Sequence, residues 1–218
     1  MQRGEYIPGD INRSAQQKIS EAEDVLRRTL NQFGHEGMAI EWTGDNCSTV
    51  MLWICRNLAS INGAAMPRCI FVGPDDDMDE ARKFAFRLAD QWGIQLYEEA
   101  CLSDGTVRAV ATACAAELPD SLKPAASGAN CAADRTYLRI EPLQEFSERD
   151  IWDVIIANEI PVCPIYGQGF LSLNDYRNNI RDSSLPAWQQ ILYEMDMNSK
   201  HDTDEEMLLA RLRALGYM

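Results

Sequence analysis

A chain of 218 residues is long enough for one substantial core, or for one domain with appendages. Its hydrophobic content of 46% and charged content of 25% are ordinary for a globular protein, but a net charge of −14 is not. That charge argues against a nucleic-acid backbone or an anionic membrane as the main partner, while a small anionic ligand needs only a local basic pocket. Seven cysteines without a Cys-x-x-Cys pair, and only His35 and His201, form no zinc pattern and read as single buried thiols in a reducing compartment. With no signal peptide and no apolar run of about 18 residues, the expectation is a soluble, cytoplasmic protein.

Residues 1–13 are polar and carry Gly4, Pro8 and Gly9, a loose lead-in. Ser14 caps a helix reaching Gln32, with Ile19, Ala22, Leu26, Leu30 and Phe33 on one stripe and Gly34 as its stop. Met38–Trp42 then reads as a short buried strand. Thr43-Gly44-Asp45-Asn46-Cys47 forms a turn, and Ser48 opens an apolar helix that Ser48 or Thr49 can cap. A strand running through a glycine-containing loop into a helix presents backbone N–H groups and a positive helix end to an anion. Thr43, Gly44, Asn46, Ser48 and Thr49 are therefore the candidates for contacting an anionic group such as a phosphate. Asp45, Asn46 and Cys47 stand where a strong phosphate loop carries glycines and a lysine.

Arg68–Val72 is a second apolar strand, of the kind buried inside a parallel sheet. It leads to Gly73-Pro74-Asp75-Asp76-Asp77, where Asp75 and Asp76 are candidate metal ligands, with an acidic helix start as the plainer reading. A helix over Met78–Trp92 places Ala81, Phe84, Ala85, Leu88 and Ala89 on one face. A strand over Ile94–Tyr97, a helix of small residues over Gly105–Glu117, and an aperiodic loop over 118–135 follow. Tyr137–Ile140 is a further strand. Ser147 caps a helix that turns Ile151, Trp152, Ile155 and Ile156 inward. The alternation predicts an α/β fold, a three-layer parallel sheet flanked by helices with its ligands at the strands' C-terminal edge. The expected organisation is a lead-in over 1–13, the α/β domain over 14–185, and a helical extension over 186–218. That extension holds helical runs at 186–197 and 202–217 that close the core or mediate self-association, as a homo-oligomer or with a partner subunit.

Arg139-x-x-Pro142-Leu143, Asp150-x-Trp152 and Pro161-x-Cys163-x-x-Tyr166-x-x-Gly169-Phe170-x-Ser172-Leu173 together carry a family signature: twelve positions within 35 residues. The run resembles the adenine-nucleotide α-hydrolase (PP-loop) superfamily, and within it the FAD synthases, or FMN adenylyltransferases, kin to phosphoadenylyl-sulfate reductases. The similarity extends more weakly over residues 38–185, and Leu122-Lys123-Pro124 also resembles a family segment. The resemblance implies an adenine nucleotide-α-hydrolase-like fold, ATP with Mg²⁺ and FMN or FAD as ligands, and a ligand pocket shaped by Arg139, Tyr166, Gly169, Phe170 and Ser172.

Departures from the family pattern fall on the catalytic parts. The family loop Ser-Gly-Gly-Lys-Asp-Ser is Thr43-Gly44-Asp45-Asn46-Cys47-Ser48 here, with lysine and aspartate lost. The aspartate ending the second strand is Gly73. A strand with Gly-x-Arg-x-x-Asp-Pro, expected between Glu117 and Leu122, has no room, and the closing glycine of Ser-Leu-Gly is Asn174. Adenylyl transfer to FMN develops charge on two polyanions, which backbone N–H groups, a Lys or Arg and carboxylate-held Mg²⁺ must meet. Loss of one such contact costs about 10²–10³ in rate. Lys123, Arg135 and Arg139 are the cations that could compensate. The leading expectation is an FAD-synthase-like binder of an adenine or flavin nucleotide with weak or lost catalysis. The alternative is an active FMN adenylyltransferase. A non-catalytic subunit role is weaker, and so is a sulfonucleotide reductase, which needs a nucleophilic cysteine near the C-terminus, whereas none follows Cys163.

Overall fold

The computed structural model describes residues 13–73, 79–98, 105–113, 137–181 and 183–191. They fall into two units, one ending at Pro164 and one beginning at Ile165. The expected lead-in, the aspartates at 75–77, the loop at 118–135 with Lys123 and Arg135, and the helix at 202–217 lie outside the described residues, apart from Arg13, which opens the first helix.

The first unit is built on five parallel strands: β1 (Met38–Trp42), β2 (Arg68–Phe71), β3 (Leu96–Glu98), β4 (Ala109–Ala111) and β5 (Leu138–Ile140), in the order β3-β2-β1-β4-β5. β1 is central, and all five of its residues are buried, as a strand covered on both faces should be. Helix α1 (Arg13–Phe33) buries Ala15, Ile19, Ala22 and Leu26 and packs on β1 and β4. Helix α2 (Asn46–Asn62) packs on β1 and α1, and α3 (Glu80–Trp92) buries the five predicted stripe residues, with Phe84 edge-on to Trp42 at 6.2 Å. Helix α4 (Glu148–Ala157) carries the predicted Ser147 cap as a full capping box with Asp150. Asp150 also accepts a 2.6 Å bond from Lys18 of α1, tying the first helix to the last of this unit.

Two expectations are corrected. Residues 109–111 are not helical: Ala109-Val110-Ala111 is strand β4, wedged between β1 and β5, with all three residues inaccessible to solvent. A three-residue apolar strand is too short for its period to show, and alanines suit either element. The strand sought at 117–122 falls outside the described residues, and β4 is what pairs with β1. The second correction concerns α2, which starts two residues before Ser48 and is capped by Asp45, not by Ser48 or Thr49. Likewise α3 begins at Glu80, its cap being Asp79, whose carboxylate accepts from Ala81 and Arg82 N–H.

The second unit begins at the second residue of a 3-10 turn (Pro164–Gln168) and continues with the short helix α5 (Leu173–Arg177) and helical residues at 187–191. Gln190, 8% exposed, donates from its amide nitrogen to the carbonyls of Gly169 (3.0 Å) and Leu185 (2.6 Å). Phe170 stacks edge-on against Tyr176 at 5.2 Å, with the Arg181 guanidinium 5.7 Å from its ring.

Candidate functional site

Strand order changes direction beside β1: the chain leaves β1 for β2 and β3 on one side and leaves β4 for β5 on the other. In an open parallel sheet the crevice beyond the C-terminal ends of two such strands is where ligands bind. Here those strands are β1 and β4, and the loop after β1 sits at that crevice, its Cys47 Sγ lying 3.9 Å from the Ala113 carbonyl just beyond β4.

The loop is held from within. Gly44 has φ +83°, and a Cβ there would stand 2.9 Å from the Ala81 carbonyl oxygen, so glycine is needed both for the backbone angle and for the approach to α3. Asp45 is 5% exposed, and its Oδ1 accepts a 2.6 Å bond from Ser48 N–H. Asn46 Oδ1 accepts from Cys47 N–H at 2.9 Å. Ser48 Oγ accepts from Thr43 N–H at 3.3 Å and lies 3.1 Å from Thr43 Oγ1. Thr49 is fully buried; its hydroxyl donates to the Asp45 carbonyl (2.5 Å) and accepts from Trp42 Nε1 (3.0 Å).

The structure therefore brings Thr43, Gly44, Asn46, Ser48 and Thr49 together in one loop at the switch point, and places the Thr49 side chain inside the fold. Arg139 lies on β5, opposite Val110 of β4. Its Nε donates to Thr112 Oγ1 at 3.1 Å and lies 3.3 Å from Glu141 Oε1. Tyr166 and Phe170 of the second unit are buried, at 1% and 6% exposure. Gly169 (φ +97°) packs so closely that a Cβ would run into the carbonyls of Ser183 and Leu185. Ser172 is the cap of α5, its Oγ accepting from Asp175 N–H at 3.0 Å. Asp75 and Asp76 lie outside the described residues, among which no group of three His, Cys, Asp or Glu side chains could hold a metal ion.

Sequence reasoning missed Glu41 and Thr112. One step beyond the register pairs Ile40–Ala111–Ile140, Glu41, Thr112 and Glu141 form a row at the C-terminal edge of β1, β4 and β5. Glu41 (4% exposed) and Thr112 (2%) are buried, and Thr112 accepts from Arg139 Nε. A lone acid in an otherwise apolar strand was the available signal at Glu41.

A parallel α/β sheet with a strand-loop-helix at its switch point defines an open, doubly wound class of fold with a crevice at that edge. Residues 120–180 match the family described as the phosphoadenosine phosphosulfate reductase domain. A probable FAD synthase of Caenorhabditis elegans is 22% identical over 182 residues, covering 78% of this chain and 35% of that protein. The crystal structure of Candida glabrata FMN adenylyltransferase with FMN and an ATP analogue superposes with a TM-score of 0.57 at 17% identity, over 77% of this chain and 65% of that one. Yeast FAD synthetase in complex with FAD gives 0.53 at 19% identity, over 79% and 67%. The chain is thus similar to FAD synthases in sequence and shares the fold of FMN adenylyltransferase, and it spans about a third of the length of the worm relative. Among the described residues no helix is long and apolar enough to cross a membrane.

Proposed function

We propose that this protein binds an adenine or flavin nucleotide at the crevice beyond β1 and β4 and transfers AMP to FMN weakly or not at all. The observation that carries this reading is the loop Thr43–Ser48. It keeps its place at the switch point and its Gly44 and Ser48, while Asp45, Asn46 and Cys47 stand where the family's loop has its second glycine, its lysine and its aspartate. Nucleotide and flavin as ligands follow from the relatives, whose solved structures contain ATP, FMN and FAD. Adenylyl transfer needs positive charge on the α-phosphate and on departing pyrophosphate. In the loop as built, Asp45 supplies the opposite sign. Among the described residues no group of three His, Cys, Asp or Glu side chains could hold a metal ion, and Asp75 and Asp76, the proposed metal ligands, lie outside them. Residues proposed to touch ligand are Thr43, Gly44, Asn46 and Ser48 from the loop, with Arg139 as the cation at the same sheet edge. Tyr166, Gly169, Phe170 and Ser172 are proposed to shape a flavin pocket by their match to the family motif.

The test is incubation with Mg·ATP and FMN, with FAD read by chromatography, alongside calorimetric titration of ATP, FMN and FAD. Binding of at least one ligand without FAD formation is the expected result. Sustained turnover to FAD replaces this reading with that of a working FMN adenylyltransferase, and absence of all binding removes it.

A further inference from the structure

We propose that Asp45 acts as a built-in anion that closes the loop after β1 to phosphate, so that the site takes its ligand by the ring system and gains nothing from a phosphate chain. This deepens the nucleotide reading above and rests on it. The donors a phosphate would need at the start of a helix are the first backbone N–H groups. Two of them are already engaged by the loop's own side chains, Ser48 N–H by Asp45 Oδ1 at 2.6 Å and Cys47 N–H by Asn46 Oδ1 at 2.9 Å, while Thr49 N–H makes the helix's own first bond to the Asp45 carbonyl at 3.1 Å. Just before the helix, Thr43 N–H is taken by Ser48 Oγ. A carboxylate on the third helical N–H supplies both the acceptor and the negative charge that the helix end favours, which are the two things a phosphate would bring. An arriving phosphate has to displace Asp45 from a place where it is 5% exposed and then share the crevice with its charge. The loop has little freedom to yield, because Gly44 is seated on Ala81 of α3.

The experiment titrates pyrophosphate, ATP and adenosine into the full chain and into the variants Asp45→Gly and Asp45→Asn by calorimetry, with thermal melts to establish folding. Glycine is a tolerated helix cap, so Asp45→Gly opens the N–H groups at small cost to the helix. The expected result is no detectable pyrophosphate binding to the wild type, and similar affinity of the wild type for ATP and adenosine. For Asp45→Gly the expectation is a preference for ATP over adenosine, with pyrophosphate bound at least about tenfold more tightly. Asp45→Asn, which keeps an acceptor for Ser48 but drops the charge, falls between the two, and it carries the test alone if the glycine variant does not fold. Equal pyrophosphate binding by wild type and variants, or none by any of them, overturns the proposal. Pyrophosphate needs neither base nor flavin, so this outcome is independent of whether FMN, FAD or adenosine binds the wild type, which is where the nucleotide reading itself would fail.

Discussion

Gly44→Ala tests the placement of the loop against α3. A methyl at φ +83° costs about 1–2 kcal/mol from its clash with the local backbone. The same Cβ would lie 2.9 Å from Ala81 O and 3.1 Å from Ala81 Cβ, and forcing a methyl into so tight a contact costs a further 1–3 kcal/mol or so. The sum, about 2–5 kcal/mol, is a large share of the stability of an ordinary domain. Gly63→Ala is the control: Gly63 has φ +58° at the end of α2, but nothing stands within 4 Å of its added Cβ, so only the conformational part, about 1–2 kcal/mol, applies. Urea denaturation followed by circular dichroism at 25 °C and neutral pH compares the two, with unchanged m-values showing that the same transition is measured. Gly44→Ala should lose about 1–3 kcal/mol more than Gly63→Ala. If the two cost the same, the loop does not rest on Ala81 and the packing argument fails.

Asp150→Asn removes the carboxylate that serves Lys18, Ser147 N–H and Ser147 Oγ, and should cost about 2 kcal/mol at pH 7 in urea titrations. Burial alone would raise the Asp150 pKa, but its hydrogen bonds from Lys18 and Ser147 and the Lys18 charge outweigh that and leave it lowered in the folded state. A lowered folded value means the stabilisation is complete above the unfolded pKa and is lost as pH falls through the folded one. The gap between wild type and Asp150→Asn should therefore shrink below about pH 4, and a gap that grows on acidification contradicts the assignment. Gln190→Leu strands the carbonyls of Gly169 and Leu185, at a cost of about 2 kcal/mol or more; deuterium exchange should quicken across 165–191, and unchanged exchange there would show that Gln190 is no staple. Burial raises the Cys55 thiol to about 12, and burial together with neighbouring Cys55 raises Cys69 as well. Iodoacetamide at pH 8 should label half-buried Cys47 in the native protein and reach Cys55 and Cys69 only after denaturant, as read by peptide mass spectrometry.

Much of the fold was legible wherever a local pattern decides the element. Met38–Trp42 is a short run, apolar but for Glu41, between turn formers and is a strand with those limits. The α3 stripe and the Ser147 cap were readable for the same reason: the period and the cap each lie within one or two helical turns. Ala109–Ala111 was not, because its identity as a strand comes from β1 and β5, each closing on it from far along the chain. Asp45 was misread more avoidably. It was weighed as the loss of a glycine, whereas an aspartate three residues before Ser48 is also a strong helix cap, and that is the role it takes. The loop of the candidate site was visible as a motif, but the row of Glu41, Thr112 and Glu141 depends on strand register, which no stretch of sequence encodes alone.

The bond between Lys18 and Asp150 joins residues 132 positions apart, and it has a bearing on how the protein is made. As the polypeptide leaves the ribosome α1 emerges before the rest of the unit, an amphipathic segment whose greasy side has no surface to cover it. β1 follows soon after, yet its neighbour β4 arrives some 70 residues later and α4 later still. Single helices of this length are marginal in water, so α1 has to linger half-formed until most of the first unit exists. Ribosomes arrested short of residue 148 should hold nascent chains that chaperones grip and proteases cut within α1, and release of the α4 segment should end both.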